Sequence, residues 1–274
     1  MAGSPVWENG ARSRKGRTPM ENALLIGLSR QMVLSRQLDV VANNIANLNS
    51  TGFKADNSMF EQFLMPVARE NRFNAPDRQL NFVNDRGTWH NFQPGALQQT
   101  GNPLDVAIKG DGFLVVQTPD GERYTRNGAL QVNAQGQLVT MDGSPVIGDN
   151  GPIVLQETDR DISISPDGSV TVVEGGDTRT ESQRGRIRLV SFDAPQQLQK
   201  EAGTLFSAPD GITPTPDTKS QLMQGVTEKS NVNGVVEMTR LIEISRAYQQ
   251  VATLLQQQSD LHKNAIHELA NVPS

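Results

Sequence analysis

The chain carries a long, proline-free amphipathic segment at each end, and these two segments limit what it can fold into. From Glu21 to about Asn49 there is no proline, and Gly27 is the only glycine. Leu34, Leu38, Val41, Ile45 and Leu48 step by four, three, four and three residues, the spacing of an apolar helix seam. Leu25, Leu28 and Met32 repeat that spacing on an offset stripe. From Val232 to about Leu269 the pattern returns. There Leu241, Ile244, Tyr248, Val251 and Leu255 step by three, four, three and four, with glutamines and charges on the other faces. A helix spanning the first segment is about 40 Å long and has no nearby partner in sequence. The mid-chain offers no helix of matching length. The two helices are therefore expected to pair as a coiled-coil-like inner domain or to pack on copies of the same chain. Their separation in sequence favours the intermolecular arrangement.

The middle, from about Phe92 to Thr227, changes period. Short runs such as "DVAIKG", "FLVVQT", "ALQVN", "QLVTM", "PIVLQ", "DISIS", "SVTVV" and "RIRLVSF" alternate with turn residues. Asp120-Gly121, Asn127-Gly128, Asp142-Gly143, Asn150-Gly151 and Asp167-Gly168 are pairs that tolerate the positive φ of a type I′ hairpin turn. Ile162 and Ile164, then Val170 and Val172, place apolar side chains on one strand face. About eight short strands at this spacing predict an antiparallel barrel or sandwich. The fold class is thus α+β, terminal helices around a central β domain. Five segments follow: a disordered basic extension (1–19), the N-terminal helix (20–53), an extended connector (54–92), the β domain (93–228) and the C-terminal helix (229–274). The basic extension holds Arg12, Arg14, Lys15 and Arg17 against Glu8, and Met20 is read as the natural start. The connector lacks a sustained period. It is read as an arm lying on neighbouring subunits, with Phe53, Phe60, Phe63, Phe73, Phe82 and Trp89 as anchors.

Composition narrows the function. Aromatic residues make up 5% of the chain and hydrophobic residues 36%, which predicts a lean, aliphatic core. A net charge of −5 argues against a nucleic-acid binder. The absence of cysteine removes disulfides, thiolate metal sites and thiol nucleophiles. No apolar run approaches the roughly 20 residues of a membrane helix, and no apolar leader opens the chain. Catalytic patterns are equally scarce. His262 and His267 are five residues apart on a helix and point away from each other. Asp159, Asp161 and Ser163 begin like a calcium loop, but Ile164 takes the glycine position. "KGDGFLVV" lacks the third glycine and following helix of a phosphate loop. Ser165 and Ser191 have no nucleophile-elbow context. No cofactor, metal or small-molecule substrate is expected, and no enzymatic activity.

Three blocks carry a resemblance. "LDVVANNIANLNSTGFK" (38–54) resembles the N-terminal motif of the bacterial flagellar axial proteins of the rod and hook. "GALQQTGNPLDVAIKGDGFLVVQTPDGERYTRNGALQVNAQGQLVTMDGSPVIG" (95–148) is similar to their shared β-domain core, and "SNVNGVVEMTRLIEISRAYQ" (230–249) to their C-terminal motif. The blocks stand in the family's order across residues 20–270. The start at Met20 resembles proximal-rod members, with distal-rod members as the near alternative. The short β region is unlike the hook protein. The resemblance implies export through the flagellar type III apparatus without a cleaved signal. It further implies assembly in the periplasm with copies of itself and neighbouring rod proteins, the terminal helices forming the inner layer. The basic extension departs from the family.

The amide-rich run of the first motif is the candidate interface. Asn43, Asn44 and Asn47 are expected beside the apolar seam, where an amide both donates and accepts and can fix the register of a neighbour's helix. Gly52 supplies the turn that releases the chain, followed by Phe53. Glu237 with Arg240 and Glu243 with Arg246 are spaced as i,i+3 pairs. Poorly covered helices of this kind are expected to order on assembly. A different reading is a secreted β domain that binds carbohydrate or peptidoglycan, with helices that only trimerise it.

Overall fold

The computed structural model describes residues 19–65, 80–175, 180–201 and 203–270. The basic extension up to residue 18 and the centre of the connector, residues 66–79, lie outside them. Two compact units result: Met1–Ser35, Phe60–Asp85 and Ser245–Ser274 in the first, Arg36–Met59 and Arg86–Ile244 in the second. The architecture is α+β. Helix α1 spans Pro19–Ala46 and helix α2 spans Gly234–Ala270, with strands between them. Asn233 closes the start of α2, its side-chain oxygen accepting from the amides of Val235 and Val236 (3.2 and 3.3 Å).

Among the described residues the strands divide over seven small sheets, and none closes into a barrel. The largest runs Gln199–Lys200, Leu205–Ser207, Gly121–Thr125, Phe113–Thr118, Leu189–Ser191, Thr215–Pro216 in spatial order. Its central strand explains why "FLVV" is apolar without alternating. Leu114 and Val116 enter one core cluster, whereas Phe113 and Val115 enter another, so both faces are covered. The first cluster is aliphatic and includes Val106, Ile108, Leu138 and Val170. The second departs from the expectation of an aliphatic core. It gathers Phe113, Tyr124, Phe192 and Phe206, with Phe92 against them, in edge-on and tilted pairs 4.8–6.3 Å apart. The few aromatics are concentrated rather than spread.

Ile164 lies opposite Val170, and Ile162 packs on the same aliphatic cluster, as their alternation predicts. The turns differ from the type I′ expectation. Gly121, Gly143, Gly151 and Gly168 take positive φ, but among described non-glycine residues only Asp161 does. A left-handed glycine after an ordinary residue belongs to a type I turn with a bulge. Asn127-Gly128 is not such a turn; a Cβ on Gly128 would lie 1.8 Å from the Val106 carbonyl oxygen, so glycine serves a close approach there.

The connector is also more ordered than expected. Asp56–Met65 and Leu80–His90 are strands that pair as a two-stranded sheet. The proline-bearing stretch before α2 likewise contains strands. Gln221–Gln224 pairs with Val106–Lys109, and Val226–Glu228 pairs with Leu97–Gln99.

Candidate functional site: the terminal helices and a buried polar junction

In the first unit the helices run antiparallel in contact. Gly27 lies so close to Leu255 that a Cβ would stand 2.6 Å from Leu255 Cδ2. Gln31 Nε2 donates to the Tyr248 hydroxyl at 3.0 Å. Leu34 is buried, while Tyr248, Val251 and Leu255 are half-buried. The offset stripe of Leu25, Leu28 and Met32 is exposed, as are Leu254, Leu261 and Ile266 on α2.

In the second unit the order is again antiparallel, Asn44 meeting Glu237 and Leu48 meeting Gly234. Val41 is buried, whereas Leu38, Ile45, Leu48, Leu241 and Ile244 are half-buried. Val235, Met238 and Ile242, at i, i+3 and i+7, form an exposed apolar stripe, with Val235 78% exposed. Over all its described side chains α2 buries only Glu237. A helix this long, with one buried residue that is a carboxylate, does not owe its place to a hydrophobic core.

The asparagines divide by depth. Asn44, 1% exposed, lies in the seam rather than beside it. Its Nδ2 donates to the Asp56 carbonyl (2.8 Å) and to Glu237 Oε2 (3.3 Å), and its Oδ1 accepts from the Asp56 amide (2.9 Å). That amide is engaged within the chain. Asn47 Nδ2 reaches the carbonyl and Oδ1 of Asn43 at 2.9 and 2.8 Å, and Ser50 Oγ donates to Asn47 Oδ1. These bonds satisfy groups left over at the helix end. Asn43 is exposed and Asn47 half-buried; both line a polar cleft of about 730 Å³ with Thr88, His90, Gln199 and Lys200. Gly52 turns with φ +68°, and its amide donates to the Glu228 carbonyl at 2.7 Å. A Cβ there would lie 2.4 Å from the Asn127 amide nitrogen, so the position requires glycine twice over. Phe53 is buried under the Lys200 ammonium, 3.6 Å from its ring centroid, so its ring is covered by its own chain. Trp89 is exposed; the side chains of Phe60, Phe63, Phe73 and Phe82 lie outside the described residues.

Beside Phe53 sits a junction of buried charges. Lys54 Nζ donates to Glu228 Oε1 (2.5 Å) and to the Gln93 carbonyl (2.9 Å), while the Gly95 amide also donates to Glu228 Oε1 (2.8 Å). Arg126 Nη1 stands 3.7 Å from Glu228 Oε2 and its guanidinium 5.0 Å from the Phe113 ring centroid. Burial pushes the Lys54 ammonium and the Arg126 guanidinium down from their ordinary values, and the Glu228 carboxylate partly offsets this. A second group joins His90 Nδ1 to Asp56 Oδ1 (2.7 Å) and Lys200 Nζ to Asp56 Oδ2 (2.9 Å). Burial pulls the Asp56 carboxyl up, but the bond from His90 and the Lys200 charge outweigh it and hold the group below its usual range. Asn231 ties three segments, accepting from the Ala55 amide (2.8 Å) and donating to the carbonyls of Asn91 and Gln93 (2.7 and 3.0 Å).

Lys54, Asp56, His90, Arg126, Lys200, Glu228, Asn231 and Glu237 are absent from the interface read from the sequence. Lys54, Arg126, Asn231 and Glu237 fall inside its three motif blocks, which was the available signal. Their pairing was invisible because Lys54 and Glu228 are 174 residues apart. The Glu237–Arg240 pair forms at 2.9 Å. In chemical terms the junction is a clamp: cations, carboxylates and amides meet one another, and Asp56–His90 backs onto the rings of Phe92 and Phe206. Among the described residues no cluster is disposed to hold a metal.

Comparison with known proteins finds three family models along the chain. Residues 24–54 match "Flagella basal body rod protein", residues 107–172 "Flagellar hook protein FlgE/F/G D1 domain" and residues 223–267 "Flagellar basal body rod FlgEFG protein C-terminal". The flagellar basal-body rod protein FlgF of Caulobacter vibrioides is 40% identical over 254 residues, covering 92% of this chain and 100% of that protein. FlgF of Mesorhizobium japonicum is 32% identical over 256 residues, 92% of this chain and 99% of the relative. FlgG of Buchnera aphidicola from Acyrthosiphon pisum is 32% identical over 238 residues, 81% and 89% of the two chains.

Proposed function

The chain belongs to the flagellar basal-body rod protein family, and we propose that it is a proximal-rod subunit polymerising through its terminal helices into a torque-carrying shaft. It is a structural protein of the flagellar basal body. The observation that carries the polymer reading is the coverage of α2: one buried residue, Glu237, and exposed Val235, Met238, Ile242, Leu254, Leu261 and Ile266. Apolar helix faces left open in this way are closed by the same faces of neighbouring copies or related rod proteins. The heptad spacing of Leu34 to Leu48 and of Leu241 to Leu255, with Gly27 against Leu255, supports a coiled-coil-like inner layer. Leu34, Leu38, Val41, Ile45, Leu48, Leu241, Ile244, Tyr248, Val251 and Leu255 form its seams. Exposed Asn43 and half-buried Asn47 supply amides to a neighbour, while Asn44, Gly52 and Phe53 position the helix end from inside.

The proximal position is supported by 40% identity to a FlgF against 32% to a FlgG; a distal-rod place is the second reading. A cysteine-free chain suits passage unfolded through the type III export apparatus to the periplasm-spanning rod. Deleting the encoding gene and imaging basal bodies by electron microscopy tests this. Basal bodies ending short of the distal rod, restored by the wild-type gene, are the expected outcome. Rods missing only their distal part favour the second reading, and complete rods with hooks overturn both.

A further inference from the structure

The two helices are held very unequally along their lengths, and the inequality follows the junction. Within the second unit, the last turns of α1 bury Val41 and Asn44, and the first turns of α2 bury Glu237. Asn44 grips the main chain of Asp56 in both directions and reaches Glu237. Asn233 caps α2, and the chain on either side is pinned by Gly52 to Glu228, Lys54 to Glu228 and Asn231 to Ala55. Within the first unit, the described stretch of α2 buries nothing, and α1 buries only Leu34. Helices draw most of their stability from packing an amphipathic face, and short stretches without cover are marginal in water.

We infer that the polar junction holds the bases of both helices, residues 36–46 and 234–244, folded in the free monomer, while residues 19–33 and 248–270 become ordered only on assembly. This rests on the rod reading above and adds the direction of ordering. A subunit arrives with its helix bases fixed and the stripe of Val235, Met238 and Ile242 already presented, and helix then grows outward as neighbours cover it. The entropy of ordering falls on the outer stretches alone, since Asn44, Lys54 and Asn231 have already fixed the bases.

Hydrogen exchange read by mass spectrometry on the dilute, full-length monomer tests the boundary. Amides in 36–46 and 234–244 are expected to exchange at least about tenfold slower than those in 19–33 and 248–270, which should run near unstructured rates. Equal protection along each helix, high or low, overturns the inference. In Asn44→Ala, and independently in Glu237→Ala, protection of 234–244 should fall about tenfold while the strand Phe113–Thr118 keeps its own. Unchanged protection at 234–244 in both variants overturns the junction's role, as does parallel loss in Phe113–Thr118 in both. These outcomes are separate from the rod reading, which fails instead if the chain proves absent from basal bodies.

Discussion

The strand Phe113–Thr118 and the helix α2 sit at opposite extremes of burial. The strand hides Phe113, Leu114, Val115 and Val116 in two cores, one on each face. The helix, 37 residues long, buries a single glutamate. The strand is determined by contacts inside the chain, with neighbours drawn from residues 106 to 222. The helix has a fixed start at Asn233 and Glu237 and then outruns its support. The β domain is therefore the part that folds for itself, and the helices are the part that folds for the polymer. The junction of Lys54, Glu228, Asn44 and Asn231 is where one regime gives way to the other.

The largest effect should come from opening the junction. Lys54→Met leaves Glu228 buried with only Arg126, 3.7 Å away, to balance it. Removing one partner of a buried pair costs roughly 3–5 kcal/mol, and Arg126 places this case toward the lower end. Urea unfolding of the monomer measures it; a loss under about 1 kcal/mol would mean the pair is dispensable to the β domain. Next comes the core itself. Leu114→Ala should lower stability by about 2–5 kcal/mol in the same assay. Leu261→Ala, at a leucine 68% exposed, should stay within about 0.5 kcal/mol in the monomer yet impair incorporation into rods. Equal losses from the two leucines would erase the contrast between strand and helix.

Much of this division is legible in the residues. The steps of three and four from Leu34 to Leu48 and from Leu241 to Leu255 give both helices, because a helix seam repeats in sequence. The β-branched runs give most long strands. Gly121–Thr125 and Thr180–Arg186 escape notice because "GERYT" and "TESQRGR" are polar, and partner main chains hold them in place. Asp56–Met65 is hidden for a similar reason. Asn44 shows the limit most clearly. Its amide is visible as a group needing partners, but those partners, Asp56 and Glu237, come from chain segments that only the fold brings together. Position along a helix predicts the face of a side chain; it does not predict which far segment will cover that face.

A smaller effect lies in acid. Asp56 is held below its ordinary pKa, because the His90 bond and Lys200 charge outweigh the opposing pull of burial. Its contribution to stability is complete above the unfolded value of 3.8 and disappears as pH falls through the lower folded value. Asp56→Asn should therefore flatten the acid limb of a stability-against-pH curve while the alkaline side keeps its shape. An unchanged acid limb would show that other carboxylates govern acid unfolding.

The smallest expected effect separates two ways of holding a helix base. Arg240 bonds Glu237 Oε1 at 2.9 Å, but it is half exposed to water, whereas Asn44 reaches the same carboxylate from the buried side. In Arg240→Ala the Glu237 carboxylate keeps Asn44 and remains in the first turn of α2, where the helix dipole favours a negative charge. An exposed i,i+3 pair of this kind contributes a few tenths of a kcal/mol, and salt reduces it further. Exchange at 234–244 should thus change less than about twofold in Arg240→Ala, against about tenfold in Asn44→Ala. A loss in Arg240→Ala that matches Asn44→Ala and vanishes at high salt would assign the base to a surface ion pair, and the buried amide would no longer explain why the helix starts where it does.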